Sequence, residues 1–474
     1  MKFIIAAISL LFLFTNCSAQ YYNEIVNKEH SASNLKKEVD YVQHKLEKGS
    51  FTLYRYISKK DLDHKFDSLK QTIKTPLNSI DFNVKLTSLL SIIGDGHLYS
   101  DIDASQLTEA DKAEMNKKNL SPIYQFDYHI INGNKPYIMQ NYSQDSSILP
   151  GTEILSINHI PVYKILDSIC SLIPSDGFNK TFKYFLLNIN NLPKMYRYAY
   201  GYQDSTTFEL KYQGVTRMVS IKSIPFQQLK NLPANSNVKT IGTTYQFLNQ
   251  DSSIAYIKIS TFEDNIQLIN KQAAIFKSIK QANAKTLILD LRGNTGGALN
   301  LTANFFSYLI DTPVYFFKQV DELTRGYIGL TKNNIRKQQI AWYKTYSTTA
   351  YVSPNKDGFK GKLYVLINGG TFSAAAMLTA HIKALKKAIF VGEETGGSST
   401  QWTGGGFQND LLPTTKLLLH YGIIPLELIN KDNTPGRGII PDISISYTIE
   451  DYTAKKDLEL DWVLNDISKN MHTK

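Results

Sequence analysis

Apolar residues recur at helical spacing between about Ser33 and Met115. Leu35, Val39, Val42 and Leu46 share one face, and Leu62, Phe66, Leu69 and Ile73 share another. Ser58 with Asp61 has the form of an acidic capping box, and Ser79 precedes a third helix carrying Phe82, Leu86, Leu89 and Leu90. The pattern predicts a helical N-terminal domain over residues 20–119. Its third helix runs into Ile92-Ile-Gly-Asp-Gly-His97, where two glycines bracket an aspartate and stop the helix just before a histidine. A histidine on such a turn suits a general base; it is equally an ordinary loop histidine, one of nine in the chain.

From about Leu120 to Pro225 the pattern shortens to alternating strands. Asn132-Gly133 signals a hairpin between Tyr128–Ile131 and Tyr137–Met139, and Gln213-Gly214 signals another between Thr207–Tyr212 and Arg217–Ile221. Val162–Leu172 reads as a helix. The stretch Ile148–Val162, with a turn glycine before a strand and a further turn, resembles part of a PDZ domain, so residues 120–227 are expected to form a β-rich PDZ-like domain. Its strand edge would either accept an extended peptide or serve as a spacer. Residues 228–240, rich in Asn, Pro and Ser, read as a linker.

In the third region, 241–474, the strands Ile254–Ile259 and Lys285–Asp290 alternate with helices over Ile266–Ala282 and Leu299–Ile310, which predicts an α/β core with largely parallel strands. The basic stretch Arg325–Lys344 reads as a solvated helix face or a flap. Asp290-Leu-Arg-Gly-Asn-Thr-Gly-Gly297 would gather glycine amides at a strand's carboxyl end. It has neither the lysine-serine ending of a phosphate loop nor a dinucleotide fingerprint. Leu363–Met377 reads as strand, glycine turn, Ser373, helix. Such a serine is either an exposed nucleophile beside the unpaired amide of Ala374 or a plain N-cap.

At 474 residues, 42% hydrophobic and 20% charged, the chain can bury a large core in two or three domains. The formal charge of +10 is spread along the chain, with no basic block and no zinc-ligand spacing, which argues against nucleic-acid binding. Lys2, the apolar run Phe3–Phe14 and small residues at Cys17 and Ala19 predict a signal peptide, residues 1–19, and hence export to a periplasmic, extracellular or outer-surface location. A lipidated Cys17 would instead attach the protein peripherally to a membrane, although Phe14 and Asn16 fit that signal poorly. Cleavage after Ala19 leaves Cys170 without a partner, among Ile165, Leu166, Ile169 and Leu172, as a core residue.

Asp290–Gly297, Asn368–Met377, Val391–Gly397 and Gly436–Asp442, in this order, resemble the carboxyl-terminal processing and tricorn-type serine peptidases of family S41. The resemblance implies a ClpP/crotonase-like α/β catalytic core with an N-terminal helical cap and a PDZ-like domain, a polypeptide substrate, and no cofactor or metal. It implies Ser373 as nucleophile and the amides of Ala374 and of Gly296 or Gly297 as the oxyanion hole. The lysine of the processing branch is replaced by Ser398, so the resemblance points to the tricorn-type histidine, which His97 matches, with Gly96 where that branch has a serine. The orienting carboxylate is expected at Asp432, with Glu427 as second candidate. A binding protein for lipid or peptide, and an esterase or amidase for small molecules, are the alternatives on the same fold.

Overall fold

The computed structural model of this chain describes residues 28–50, 52–103, 109, 119–226, 228, 242–263, 266–317, 351–404, 406–428 and 434–471. The expected signal segment 1–19, residues 229–240 of the expected linker, the basic stretch Arg325–Lys344 and Asp432 lie outside the described residues.

A six-stranded sheet lies at the centre of the third region, in the order Thr243–Phe247, Ile254–Ile259, Thr286–Asp290, Lys362–Ile367, Ala388–Gly392, Ile443–Ser444. The first pair is antiparallel and the others parallel. The molecule is thus of the α/β class. Every residue of Thr286–Asp290 is buried, as a strand covered on both faces requires. Leu287 and Leu289 face one side, packing with Phe276 of the helix Ile266–Gln281, Phe305 of Leu299–Ser307 and Leu378 of Ala374–Ala384. Ile288 faces the other, with Tyr364, Leu366 and Val463 of the last helix, Leu458–Met471. Burying each such aliphatic or aromatic side chain contributes about 1.5–3 kcal/mol.

The carboxyl ends of two central strands are adjacent, with Asp290 in register with Leu366, so the loops after them share one end of the sheet. Arg292 ties this end to the last helix. Its guanidinium donates to Asp290 at 2.8 and 3.0 Å, to Asp457 at 2.7 and 2.9 Å and to Glu459 at 3.0 Å. Burial alone would raise the Asp290 pKa, but the Arg292 charge outweighs it and holds the carboxyl at about 2. Replacing Arg292 by alanine leaves the buried Asp290 carboxylate to the Lys258 ammonium at 3.1 Å and the Tyr256 hydroxyl at 2.7 Å, and is expected to cost up to roughly 3–5 kcal/mol by urea denaturation at pH 7. Because the folded pKa is depressed, this stabilisation is present above the unfolded carboxyl value. The gap between variant and wild type should therefore narrow as pH falls from about 4 toward 2.

The three N-terminal helices, Ala32–Gly49, Lys59–Thr72 and Ser79–Leu90, carry the expected apolar faces inward. Ser58 caps the second helix through the Asp61 amide. Asn78, not Ser79, caps the third; the Ser79 hydroxyl is spent on Thr415 O at 3.0 Å. The bundle shares its core with Leu412, Leu417, Leu419 and Tyr421, from the hairpin formed by Phe407–Leu411 and Leu417–Gly422. The strand Tyr99–Ile102, just after His97, pairs antiparallel with Leu417–Gly422, Tyr99 opposite His420.

Residues 126–222 form an antiparallel sheet, Phe126–Ile131, Lys135–Asn141, Thr152–Ile157, Ser205–Tyr212 and Val215–Lys222. Both expected hairpins are present, their turns carried by positive φ at Asn132 and Gly133 (51° and 70°) and at Gln213 and Gly214 (49° and 83°). This region also contains the helices Val162–Cys170, Thr181–Leu186 and Leu192–Tyr200, the last two within a stretch expected to be strand-rich. Phe182 of that inserted helical segment stacks on Phe372 at 4.0 Å, so the core of the β-rich module reaches the residue before Ser373.

Candidate active site

Ser373 lies between the strand Lys362–Ile367 and the helix Ala374–Ala384, with φ 50° and ψ −125°. A non-glycine residue costs about 1–3 kcal/mol in such a region and stays there only when its surroundings over-determine it. Here they do. The Thr371 hydroxyl donates to Leu291 O at 2.9 Å, the Phe372 amide to Asn294 O at 3.0 Å, and the Gly397 amide to Thr371 O at 3.1 Å. The Ser373 side chain makes no helix-capping hydrogen bond, which removes the plain N-cap role. Its Oγ instead stands 3.1 Å from His97 Nε2. Two side chains 276 positions apart are thus within hydrogen-bond reach.

The turn that carries His97 is fastened to the β-rich module. Gly94 closes the helix end at φ 77°, its carbonyl accepts from the Gly177 amide at 2.8 Å, and the Gly96 amide donates to Asp176 Oδ1 at 2.9 Å. Gly96 is required by space: a Cβ there would stand 2.8 Å from the Phe372 ring, which accounts for the absence of a serine beside the histidine. The imidazole is buried between Phe372 and Phe407, ring centroids 4.8 and 5.4 Å away. Phe407 in turn stacks on His420, which burial holds neutral with a pKa lowered to about 4.

Two buried carboxylates flank His97. Asp95 Oδ1 accepts from the His97 amide at 2.9 Å and lies 3.9 Å from Nδ1. Thr403 Oγ1 reaches both Asp95 oxygens, at 2.8 and 2.7 Å, and Thr52 Oγ1 donates to Oδ2 at 3.2 Å. Asp176 accepts the amides of Gly96 and Ser398, and burial raises its pKa above the usual carboxylate range. Single ligand atoms of Asp95, His97 and Asp176 lie within 4.8 Å of one another, close enough to invite a metal. The carboxylate oxygens are instead taken up by amide and hydroxyl donors.

The glycine loop 293–297 lies against the serine. A Cβ on Gly296 (φ 106°) would stand 2.7 Å from Ser373 Cβ and 2.9 Å from Ala374 N. The Gly296 amide, expected as one possible oxyanion donor, already donates to Asn294 Oδ1 at 2.9 Å, and this corrects that assignment. Gly293 donates to Asn368 Oδ1 in the loop before Ser373, so two of the glycine amides are already engaged and do not form a phosphate cradle. Among the described residues the amides of Gly297 and Ala374 have no protein acceptor. Gly296→Ala should therefore displace Ser373 and lower kcat by roughly 10²-fold or more, measured as turnover at matched folded concentration.

Ser398, at the position of the processing-branch lysine, is fully buried and its Oγ accepts the Thr400 and Gln401 amides. Glu427 is buried at a strand end opposite Gln401. No carboxylate among the described residues hydrogen-bonds His97 Nδ1. Burial pushes the Cys170 thiol up to about 11, which keeps it protonated and unreactive near neutrality. A small apolar cleft, partly open to solvent, adjoins the histidine turn, with Gly96, Tyr99, Leu172, Ile173, Phe182 and Met195 among its walls. Asp95, Asp176 and the aromatic clamp were not singled out from sequence. Asp95 was visible in the glycine turn, but nothing local marks its contacts with Thr52 and Thr403.

Residues 253–445 match the family model Peptidase family S41. A 201-residue stretch is 26% identical to the tail-specific protease of Haemophilus influenzae, covering 42% of this chain and 25% of that protein. This chain therefore matches only about a quarter of the length of that curated relative. Among solved structures, mature CPAF superposes with a TM-score of 0.60 at 16% identity, over 89% of this chain and 94% of its own. Mature CPAF complexed with lactacystin gives 0.62 at 15% identity, over 93% and 98%. By these comparisons, residues 253–445, which include most of the six-stranded sheet, are similar in sequence to peptidase family S41.

Proposed function

We propose that this chain is an exported serine endopeptidase acting on polypeptides, with Ser373 as nucleophile and His97 as general base. The observation that carries it is the strained, uncapped Ser373 with its Oγ 3.1 Å from His97 Nε2. In this scheme Nε2 takes the hydroxyl proton as Oγ attacks the scissile carbonyl. The amides of Ala374 and Gly297 receive the oxyanion, each worth on the order of 3 kcal/mol in comparable sites. His97 then protonates the leaving amine, and water repeats the sequence to free the acyl group from Ser373.

The match of residues 253–445 to a peptidase family model supports a peptide substrate. The apolar cleft beside Gly96 offers room for an apolar side chain of that substrate. Val215–Lys222, largely exposed and last in its sheet among the described residues, offers the β-rich module an edge for an extended segment, in keeping with a PDZ-like role. Export rests on the N-terminal signal pattern of the sequence. Among the described residues no helix is long and apolar enough to cross a membrane.

The test compares an unfolded polypeptide with a small activated ester as substrates for the purified mature protein. Cleavage of internal peptide bonds, absent in Ser373→Ala, is the expected result. Hydrolysis of the ester alone would favour the small-molecule esterase. Capture of peptide or lipid without turnover, unchanged in Ser373→Ala, would favour the binding protein.

A further inference from the structure

We infer that Asp95 is the carboxylate that positions His97 and balances its charge, in place of the later acidic residue expected from the chain's motif order; this role rests on the peptidase proposal above. His97 Nδ1 is buried and lacks a hydrogen-bond partner, and Asp95 Oδ1 lies 3.9 Å from it. Hydrogen bonds of a catalytic site are commonly long before substrate binds and close in the complex, so a small turn of the ring brings Nδ1–H onto Oδ1.

The surroundings of Asp95 suit this task. Its oxygens receive donors from three separate parts of the chain: the His97 amide, the Thr52 hydroxyl and the Thr403 hydroxyl. Donors converging from three directions fix the orientation of the carboxylate. Because Asp95 also accepts the backbone amide of His97, one carboxylate sets both the turn and the ring. Asp176, the second acid, is engaged differently. Its two oxygens hold the amides of Gly96 and Ser398, joining the histidine turn to the loop beyond Thr395, and burial favours its neutral form. The titratable groups gathered around His97 are therefore Asp95 on its own turn, Asp176 from the module and His420 beyond Phe407, the last neutral.

The experiment measures kcat and KM against pH for wild type, Asp95→Asn and Asp432→Asn, with folding checked by circular dichroism. Asp95→Asn is expected to lower kcat by roughly 10²- to 10⁴-fold with KM within about threefold. Its acid limb should move to lower pH, because removing a neighbouring negative charge makes the imidazole less basic. A merely structural role would reduce folded protein without moving that limb. Asp432→Asn should keep wild-type kcat within about threefold. Should Asp95→Asn fail to fold, Thr403→Val removes the hydroxyl that reaches both carboxylate oxygens, and is expected to lower kcat about tenfold at unchanged KM. An Asp95→Asn variant with wild-type kcat and an unmoved limb overturns the inference, as does a folded Thr403→Val with wild-type kcat. Transfer of the kcat loss and limb shift to Asp432→Asn also overturns it. A wild type without any turnover would instead remove the peptidase proposal, and the role of Asp95 with it.

Discussion

Replacing Ser373 by alanine is expected to lower kcat by roughly 10⁴- to 10⁶-fold, the loss seen when a serine nucleophile is removed from a site whose remaining groups still bind substrate. Stability should hardly change. The side chain gives the helix Ala374–Ala384 no cap, and its hydrogen bond is the one to His97. Alanine occupies the same positive-φ position with the same cost, so the anchoring bonds of Thr371, Phe372 and Gly397 persist. Turnover of a peptide substrate, set beside a thermal denaturation curve, checks both halves. A large loss of stability would mean that Ser373 has a structural task the geometry does not show.

His97→Ala is expected to match that loss, about 10⁴- to 10⁶-fold in kcat, and the double variant should be no slower than either single one, since nucleophile and base act as a unit. It should differ in stability. The imidazole fills the space between Phe372 and Phe407, and its removal leaves a hole in a packed aromatic row that continues through His420 to Tyr99. A destabilisation on the order of 2–3 kcal/mol is expected from the lost packing. Kinetics of the two single variants and the double variant on one peptide substrate test the coupling. Additive losses would contradict it.

Much of this arrangement could be read from the chain. Helical faces such as Leu35, Val39, Val42 and Leu46 announce themselves because one period repeats over several turns, and all four are buried. The strand, glycine turn and helix around Ser373 were legible for the same local reason. What escaped depends on pairing across long separations. The strand Tyr99–Ile102 is only four residues long and finds its partner at Leu417–Gly422, so the helical region shares a core with the late hairpin, and no periodicity reports this. The helices Thr181–Leu186 and Leu192–Tyr200 are six and nine residues long, too short for the pattern to outweigh their strand-rich surroundings.

At the site itself, residue types were readable and hydrogen-bond assignments were not. Gly296 and Gly297 are neighbours of the same type, yet Asn294 occupies the amide of the first. Asp95 sits in full view two residues before His97, but its worth depends on Thr52 and Thr403, brought in from both sides of the chain. The choice among Asp95, Glu427 and Asp432 therefore could not come from spacing alone.

The most direct measurement is fluorophosphonate labelling of the purified mature protein, with the modified peptide located by mass, run beside Ser373→Ala and His97→Ala. Label on Ser373 in the wild type, absent from both variants, is the predicted result, because only a serine whose proton His97 can take reacts at a useful rate. Undiminished labelling of Ser373 in a folded His97→Ala variant, or label on a different residue of the wild type, would contradict the account.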